Sequence, residues 1–237
     1  MQGLGFASPI SMTAQPDEGL AHPPKALPCP LCSSRSTAPW AESAGSSFLR
    51  CHDCLLTFRH PSAWPSRDAE LARYCLHRNE DEDPRYHSYL WRLAGPVVER
   101  LPEGSLGLDF GCGSAAVMSS LFREHGHQMR EYDPFFAPAR EPLAGEYDFI
   151  TLCEVLEHLH SPSEELELLN GLLRPGGLIG VMTVLVDDGS DFSKWYYARD
   201  RTHVCLFHEE TLKWIAGRWR WRLERIRRDV TIFRKNA

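Results

Sequence analysis

The sequence predicts an α/β protein with a mostly parallel sheet, preceded by a small module that cysteines hold together. From Leu106 onward, short apolar runs with strand character alternate with helical patterns, which is typical of βαβ units. Before that region, two CxxC pairs occur at 29–32 and 51–54. Together these patterns predict four segments: a disordered leader over 1–25, a cysteine module over 26–62, a helical linker or lid over 63–103, and a sheet domain over 104–237.

Length and composition fit one full-sized domain with a small accessory module. The chain has 237 residues, of which 43% are hydrophobic and 24% charged, so there is enough apolar material for a core. The formal charge of −6 disfavours a nucleic-acid-binding surface. No apolar run approaches the ~18 residues that a membrane span requires, and no secretory signal is evident. We therefore expect a cytoplasmic protein without membrane contact, whose eight cysteines are reduced.

The two CxxC pairs are separated by eighteen residues, a spacing typical of four-thiolate zinc sites. Each pair would form a turn whose sulfurs converge on one tetrahedral ion, and the residues between the pairs would form the strands of a ribbon. Four protein ligands leave no coordination position for water, so the predicted zinc is structural. The alternative is two pairs of buried cysteines without a metal. The predicted ligands are Cys29, Cys32, Cys51 and Cys54.

Residues 66–101 have a helical pattern in two pieces, with a break around 81–84. Aromatic and histidine side chains are frequent in this region. They either pack on the main domain or form a lid over a substrate pocket, to which Tyr74, His77 and Tyr86 would contribute.

A glycine turn follows the first strand of the sheet domain. The strand 106–110 runs into a turn with Gly111 and Gly113, after which a helix is predicted over 115–125. Glycines let a ligand approach the backbone closely, and the helix N-terminus offers free N–H groups. The next strand ends at Asp133, about 20 residues beyond the turn, where dinucleotide folds have a ribose-binding carboxylate. Strand, turn and helix together predict a nucleotide-type site.

The rest of the chain continues the alternation of strands and helices. The predicted elements are a strand over 147–153, a helix over 163–173, a tight turn over 174–177, a strand over 178–183 and a helix over 211–219. Two last strands, 221–227 and 229–234, are expected to form an antiparallel pair at the end of the sheet.

Four of these motifs, in this order, resemble those of class I S-adenosylmethionine-dependent methyltransferases. They are the glycine turn 109–113, Asp133, the fourth-strand motif 147–159 and the Leu-Arg-Pro-Gly-Gly turn 173–177. The resemblance implies a Rossmann-like sheet, S-adenosylmethionine as cofactor, and methyl transfer. The cysteine module, together with 200–204, resembles a bacterial subgroup of zinc-ribbon methyltransferases. The residues that the resemblance assigns to the cofactor are Asp109, Gly111, Cys112, Gly113, Asp133, Cys153 and Glu154.

Two positions depart from the family pattern. Ala115 replaces a third glycine and is expected to crowd the turn slightly. Only fourteen residues separate Asp133 from Asp148, fewer than a helix and a strand need, so the third strand is predicted to be missing or vestigial. Its usual contribution to the adenine pocket would then be absent, and Pro134, Phe135 and Phe136 are candidates to replace it by packing on the purine.

Methyl transfer to a hydroxyl needs a base, and two histidines are candidates. His203 is the preferred base and His158 the second, because both can titrate near neutrality. The alternative for His203 is packing beneath the following helix. Side chains in the long connection after the fifth strand either recognise a flat or apolar acceptor or cover a hydrophobic surface. They are Trp195, Tyr197 and Arg199.

A second cation is implied by another resemblance. The spacing of Glu154, Glu157 and His158 is similar to that of ubiquinone-biosynthesis O-methyltransferases, which implies a magnesium-type ion at these residues. The alternative is that His158 caps the turn before the next helix and that the carboxylates favour the helix start.

The predicted function is methyl transfer from S-adenosylmethionine to an O, N or C atom of a small-molecule acceptor. One alternative is rRNA methylation, in which the ribbon holds RNA and the basic stretch 218–235 assists. Another is a non-catalytic adaptor in which the ribbon docks a partner. The sequence does not define the acceptor or the oligomeric state.

Overall fold

The computed structural model describes residues 27–76, 83–189 and 191–237. The leader predicted over 1–25 and the predicted substrate residue His77 lie outside these residues. The α-helices of the described part are α1 (Arg67–Tyr74), α2 (Pro84–Val98), α3 (Val117–Glu124), α4 (Pro162–Leu172), α5 (Tyr196–Arg199) and α6 (Glu209–Trp219). The strands are β1 (Thr37–Ser43), β2 (Ser46–Cys51), β3 (Thr57–Arg59), β4 (Leu106–Phe110), β5 (Gln128–Tyr132), β6 (Tyr147–Cys153), β7 (Leu173–Met182), β8 (Cys205–Leu206), β9 (Trp221–Arg225) and β10 (Val230–Lys235).

The cysteine module is a small antiparallel sheet. β1 and β2 form a hairpin around Ala44 and Gly45, whose φ angles of 49° and 74° suit a two-residue turn of the primed type. β3 pairs with β2, and β8 completes the sheet by pairing Thr57 with Leu206. The strands predicted between the cysteine pairs are present, but the last strand of this sheet comes from a distant part of the chain, which the sequence pattern does not indicate.

The main sheet has six strands in the order β5-β4-β6-β7-β10-β9. The first four are parallel, whereas β10 runs antiparallel to both β7 and β9. This confirms the mixed sheet with its terminal antiparallel pair. Between β5 and β6, where every residue is described, the chain forms one isolated bridge and a 3-10 helix over Glu141–Ala144. The predicted loss of the third strand is therefore confirmed, and β5 is an edge strand.

Helices cover both faces of the main sheet. α2 and α3 pack on one face through a buried cluster that includes Leu93, Phe122 and Phe149. α4 and α6 pack on the other face through a cluster that includes Leu169 and Leu212. This second cluster continues into the cysteine module and takes in three of its four cysteines. The module and the sheet domain therefore share one hydrophobic core.

Helix positions follow the sequence pattern more closely than strand bounds do. α1 and α2 flank the predicted break, and α2 begins at Pro84 after the capping residue Asp83. β7 begins at Leu173 instead of 178, because Leu173 pairs with Tyr147 and the segment 174–177 bulges out of the ladder. Within the described ranges, none of the helices has the length and apolarity that a membrane crossing demands.

Candidate functional site

The glycine turn joins β4 to α3 at the carboxyl end of the main sheet. Gly111 and Gly113 have φ angles of 81° and 67°, a region that glycine adopts without strain. A Cβ on Gly111 would lie 2.5 Å from Cγ2 of Val155, so a larger residue is excluded sterically as well. The amide of Gly111 donates to Tyr132 O at 2.7 Å, which ties the turn to the end of β5. The turn is a rigid backbone surface beside the N-terminus of α3.

The first turn of α3 keeps its backbone N–H groups available. The N-cap residue, Ala116, has no side-chain acceptor, and no acidic residue lies in this turn. Ala116, and not Ala115, has a left-handed φ, of 48°. The strained residue is therefore the one that follows the residue at which the sequence predicts crowding. A helix end of this kind attracts an anionic group such as a carboxylate.

Asp133 closes the turn from the side of β5. Its Oδ2 accepts from the amide of Gly113 at 3.0 Å, and its Oδ1 accepts from the amides of Phe135 and Phe136 at 2.8 and 3.0 Å. Asp133 therefore caps its own turn and also holds the glycine turn. Because Oδ2 accepts only one of these hydrogen bonds and the residue keeps 8% exposure, Oδ2 can still accept a hydrogen bond from a ligand.

Asp109 is buried at the end of β4. Its Oδ1 accepts from Thr151 Oγ1 at 2.9 Å, whereas Oδ2 has no hydrogen-bond partner within the described part of the chain. Burial raises the pKa of Asp109 to about 7, so the carboxyl group is close to half protonated at neutral pH. A cation next to Oδ2 would stabilise the ionised form.

α1 packs against the segment that replaces the third strand. Arg67 donates to Pro134 O at 2.7 Å, and its guanidinium lies 4.3 Å from the ring centre of Phe135. Tyr74, at the other end of α1, contacts the same ring edge-on, with 5.4 Å between the ring centres. Two side chains of α1 therefore hold Phe135 and restrict how much of its ring can pack on a purine.

Glu154 follows β6 in a strained conformation. Its φ of 54° is rare for a non-glycine residue and costs on the order of 1–3 kcal/mol. Its amide donates to Met182 O at 2.8 Å, which holds it across the ends of β6 and β7. Burial raises the pKa of the Glu154 carboxyl group, and its Oε1 is buried without a hydrogen-bond partner among the described residues. Cys153 beside it, and Cys112 in the glycine turn, are both half-buried.

A cleft of about 1170 Å³ lies between the cysteine module, α1 and the segment after β7. This volume is generous for a small-molecule pocket. Glu154, which directly follows β6, lines the cleft, so the cleft reaches the carboxyl end of β6. β6 pairs with β4, the strand that leads into the glycine turn. Other lining side chains are Trp64, Arg73, Tyr89, Tyr197, Arg199 and His203.

His203 lines this cleft and is only 9% exposed. Its Nδ1 lies 2.8 Å from Tyr197 O, and because a carbonyl oxygen can only accept, Nδ1 carries the proton. Nε2 then has the free lone pair of the neutral ring. Burial lowers the pKa of His203 to about 4, so the ring is neutral at physiological pH. The ring is in the form that can accept a proton.

Glu157 positions the residue on which His203 depends. Its carboxyl group is fully buried and accepts from the hydroxyl of Tyr197 and, at 2.9 Å, from Thr183 Oγ1. The ring of Tyr197 packs on that of His203, with 4.0 Å between the ring centres. Burial, followed by the charge of Glu154, raises the pKa of Glu157 to about 8. Glu157 itself does not line the cleft and acts through Tyr197.

The cation site predicted at Glu154, Glu157 and His158 differs from the group that the structure gathers. Glu157, His158 and His203 each offer a ligand atom, and these atoms lie within 4.8 Å of one another. Both oxygens of Glu157 already accept hydrogen bonds, and Nδ1 of His158 lies 3.0 Å from Thr202 O. Two imidazoles and one carboxylate are not the oxygen-rich set that magnesium prefers. Magnesium stays a prediction without support from this geometry.

A buried arginine fastens the cysteine module to the segment that carries His203. Nη2 of Arg59, in β3, donates to the carbonyl oxygens of Ala198 and Asp200 at 3.0 and 2.7 Å. Nε donates to the carbonyl oxygen of His203 at 3.3 Å. Burial lowers the pKa of Arg59 to about 10, so the guanidinium stays charged at neutral pH. An isolated arginine in a strand is not a signal that sequence reasoning can use.

The remaining predicted side chains fall into two groups. Tyr197 and Arg199 line the cleft. Tyr86 stacks on Tyr89, Trp195 packs among the aromatic side chains beside β2, and His158 packs 4.7 Å from the ring centre of His203; none of these three lines the cleft. Tyr74 is also outside the lining and places its hydroxyl 3.3 Å from Nδ1 of His158.

Trp64, Arg73 and Tyr89 are among the lining residues that the sequence does not predict. Arg73 binds Oδ2 of Asp200 through Nε and Nη2, at 3.1 and 2.7 Å. The available signal was the density of aromatic residues in 66–101, and it indicated Tyr74 and Tyr86 instead. Neighbouring aromatics on a helix face different sides, and only packing decides which side meets the cleft.

The cysteine sulfurs of the module converge. Sγ of Cys29 lies 3.5 Å from that of Cys54, and Sγ of Cys32 lies 3.5 Å from that of Cys51. All four sulfurs lie within 4.8 Å of one another. Zn–S bonds of ≈ 2.3 Å in a tetrahedron separate the sulfurs by about 3.8 Å. The donor set and its spacing fit a four-thiolate zinc site.

A family model described as a methyltransferase domain matches residues 79–220, more than half of the chain. The chain belongs to this methyltransferase family. The match includes the glycine turn, Asp133, Glu154 and His203, whereas the cysteine module and α1 precede it. A comparison with curated proteins finds no match.

Two solved structures to which the chain is similar are methyltransferases, and the first of them supports the fold. The 1,6-didemethyltoxoflavin-N1-methyltransferase of Burkholderia thailandensis, solved with bound 1,6-didemethyltoxoflavin and S-adenosylhomocysteine, is similar over 84% of this chain and 99% of its own, with 17% identity and a TM-score of 0.50. Human N-acetylserotonin methyltransferase, in complex with SAM, matches 65% of this chain and 55% of its own, with 17% identity and a TM-score of 0.46. At these identities the similarity concerns the fold.

Proposed function

We propose that this methyltransferase transfers a methyl group from S-adenosylmethionine to a small molecule bound in the cleft. One observation carries the proposal. The cleft meets the main sheet at Glu154, directly beside the strand that ends in the glycine turn. A cofactor on the turn and an acceptor in the cleft would therefore meet at the carboxyl ends of β4 and β6, where ligands bind in open α/β sheets.

The cofactor would lie along the turn. Because Gly111 and Gly113 have no side chains, the cofactor can approach the backbone of the turn closely. The free N–H groups of α3 suit the carboxylate of the methionine moiety. Asp133 can accept from the ribose hydroxyls, and the unpartnered Oδ2 of Asp109 suits the amino group, whose charge would favour the carboxylate form. Cys112 and Cys153 would border the methionine moiety. Pro134 and Phe135 would border the purine, with the face of Phe135 partly covered by Arg67.

The chemistry that the protein has to supply is orientation and proton removal. When bound, the cofactor provides a methyl group on a sulfonium, which already has a good leaving group. Where the reacting atom is a hydroxyl or a similar group, neutral His203 can take its proton on Nε2, because Nδ1 donates to Tyr197 O. The predicted second base, His158, packs against His203 instead of lining the cleft. We therefore assign it a supporting role.

We further propose that Cys29, Cys32, Cys51 and Cys54 bind structural zinc. Such a site completes the folding of the module, which forms one wall of the cleft through Gly45 and Ser46. The test is metal analysis of the purified full chain, for which one zinc per chain is expected. Cys51→Ser should lose it, and Cys75→Ser, at an exposed cysteine outside the cluster, should keep it. Full zinc content in Cys51→Ser would contradict the assignment.

The division into a module over 26–62, a linker over 63–103 and a domain over 104–237 remains our proposal, with β8 contributed to the module by the domain. A cytoplasmic location is proposed because a reducing compartment keeps the thiolates available for metal. The rRNA and adaptor alternatives are less favoured. The acidic net charge of −6 disfavours an RNA acceptor, and an adaptor would not need a proton acceptor in the cleft.

Calorimetry of the full chain with S-adenosylhomocysteine tests the cofactor assignment. We expect one binding site per chain, and the absence of binding would refute the methyltransferase proposal. Radioactive methyl transfer from S-adenosylmethionine into a metabolite extract then tests the acceptor class. Incorporation only into RNA would support the rRNA alternative.

A further inference from the structure

The charged side chains that line the cleft are not balanced. Arg73 and Asp200 neutralise each other through the two hydrogen bonds that they share. The remaining lining carboxylate, Glu154, stands at the end of β6, on the side of the sheet. Two further lining residues, Arg199 and Arg201, are exposed cations. The cleft is therefore lined by two cations that form no ion pair with either of its lining carboxylates.

Neither of these arginines is occupied elsewhere. Within the described ranges, the guanidinium groups of Arg199 and Arg201 form no ion pair, whereas most other arginines of the chain bind a carboxylate or a carbonyl oxygen. Both lie on the segment 198–203, in which three carbonyl oxygens accept hydrogen bonds from Arg59. The segment is therefore held in place. Its two unpaired arginine side chains can bind a ligand with little further loss of backbone conformational entropy.

The buried guanidinium of Arg59 strengthens the positive potential of this wall. The guanidinium is fully buried, and its Nη1 has no hydrogen-bond partner among the described residues. It is close enough to Arg201 for the two positive charges to repel each other. A buried charge is screened less than an exposed one, so Arg59 adds to the attraction for an anion at the rim. Its guanidinium donates to carbonyl oxygens and does not form an ion pair with any described carboxylate.

We propose that the acceptor of this methyltransferase is an anion whose carboxylate or phosphate group is held by Arg199 and Arg201. Guanidinium groups bind both kinds of anion through paired charge-assisted hydrogen bonds. Both unpaired lining cations belong to the segment 199–201, so the charged group of the acceptor lies toward that side of the cleft. The opposite end of the acceptor is then presented near Glu154 and His203, where methyl transfer is proposed. This inference rests on the proposed function and adds the chemical class of its acceptor.

The first test follows the acceptor in a metabolite extract. The extract is passed over an anion exchanger at pH 8, and labelled methyl transfer by the full chain is measured in the bound and unbound fractions. We expect the methyl-accepting activity in the bound fraction. Activity confined to the unbound fraction, from a protein that binds S-adenosylhomocysteine, would overturn the anionic acceptor and leave the methyltransferase proposal intact. Absence of S-adenosylhomocysteine binding would instead refute the underlying function.

The second test compares two double variants with the same change of charge. Arg199→Gln/Arg201→Gln removes the cleft cations, and Arg130→Gln/Arg140→Gln removes two arginines near the β5 edge that do not line the cleft. With the bound fraction as acceptor, the first variant should raise KM at least about tenfold, with S-adenosylhomocysteine affinity unchanged. The control should change KM less than about twofold. Equal KM values for the two variants would overturn the assignment of the arginines.

Inorganic phosphate and malonate serve as direct probes of the anion group. Calorimetry of the chain loaded with S-adenosylhomocysteine should show weaker binding of one or both anions to Arg199→Gln/Arg201→Gln than to the control variant. A preference for phosphate or for malonate identifies the group that the acceptor has. Indistinguishable binding to the two variants would contradict the proposal.

Discussion

The proposed cofactor site and the proposed acceptor cleft of this molecule are built in different ways. The glycine turn is closed by hydrogen bonds between near neighbours, such as the one from Gly113 to Asp133, 20 residues apart. The acceptor cleft depends on Arg59, whose partners His203, Ala198 and Asp200 lie 144, 139 and 141 residues away. The first site is local, whereas the second exists only when the cysteine module, α1 and the segment after β7 are packed together.

This difference separates the two binding functions. Changes in the glycine turn should abolish cofactor binding and leave the cleft intact. Changes in the contacts between the module and the domain should impair acceptor use and leave cofactor binding intact. Gly111→Ala and Arg59→Met test that separation directly, and His203→Asn and Glu157→Gln test two buried side chains on the acceptor side.

The largest effect is expected at the glycine turn. Gly111→Ala adds a Cβ at a φ of 81° and 2.5 Å from Val155, so S-adenosylhomocysteine affinity should fall about 1000-fold. Gly113→Ala has the strained φ without a neighbouring contact and should lose less. Gly217→Ala, in α6 with open space around it, is the control. Calorimetry measures all three, and equal affinities for Gly111→Ala and Gly217→Ala would show that the turn does not hold the cofactor.

His203→Asn removes the proposed base and keeps a group that can donate to Tyr197 O. For an acceptor that must lose a proton, kcat should fall about 100-fold, with S-adenosylhomocysteine affinity within about twofold of the unchanged protein. In the unchanged protein, His203 has a pKa of about 4 and is lost as a base only when pH falls through that value. The acid limb of the rate should therefore lie near pH 4, and circular dichroism should verify that the chain is folded there. A limb near pH 4 that persists unchanged in His203→Asn would be inconsistent with His203 as the base.

Arg59→Met breaks the link between the module and the cleft segment. Three carbonyl oxygens lose their donor, so the free energy of unfolding should fall by about 3 kcal/mol. Displacement of His203 should reduce kcat/KM for the acceptor about 30-fold, with cofactor binding preserved. Arg50→Met, on the neighbouring strand, removes an ion pair with the half-exposed Asp188 and a hydrogen bond to Thr57 Oγ1, and should cost about 1 kcal/mol. Urea unfolding and calorimetry measure both, and a parallel loss of cofactor affinity in Arg59→Met would show that the two ends are not separable.

The smallest effect is a change in how stability depends on pH. The pKa of Glu157 is about 8 in the folded protein, above its ordinary value of 4.5, so the folded state binds its proton more tightly than the unfolded state. The contribution of Glu157 to stability is therefore present below pH 4.5 and is lost as pH rises toward 8. Between pH 5 and pH 8, the fall in the free energy of unfolding should be about 2 kcal/mol smaller for Glu157→Gln than for the unchanged protein.

Urea unfolding at the two pH values measures this difference. Asp109 titrates over an overlapping range, with a pKa raised to about 7, and is present in both proteins, so it cancels in the comparison. Identical losses of stability in the two proteins would show that Glu157 ionises normally.

The local features were predictable because consecutive residues encode them. Two glycines one residue apart require a turn, CxxC pairs at this separation predict convergent sulfurs, and fourteen residues between Asp133 and Asp148 cannot hold a helix and a strand. The resemblance carried by these motifs identified the family. The exchange of β8 into the module was not predictable, because a two-residue strand such as Cys205–Leu206 has no periodicity.

The sequence by itself determined the family, the cofactor turn, the missing third strand and the set of cysteines, since each depends on backbone geometry over a short stretch. Only the tertiary structure decided which polar side chains share the cleft. It put Trp195 and Tyr86 in packing positions, brought Arg73 and Tyr89 to the cleft, and buried His203 far enough to lower its pKa. The physical reason is that burial and hydrogen bonding across 140 or so residues depend on how the whole chain packs, as the carbonyl partners of Arg59 illustrate.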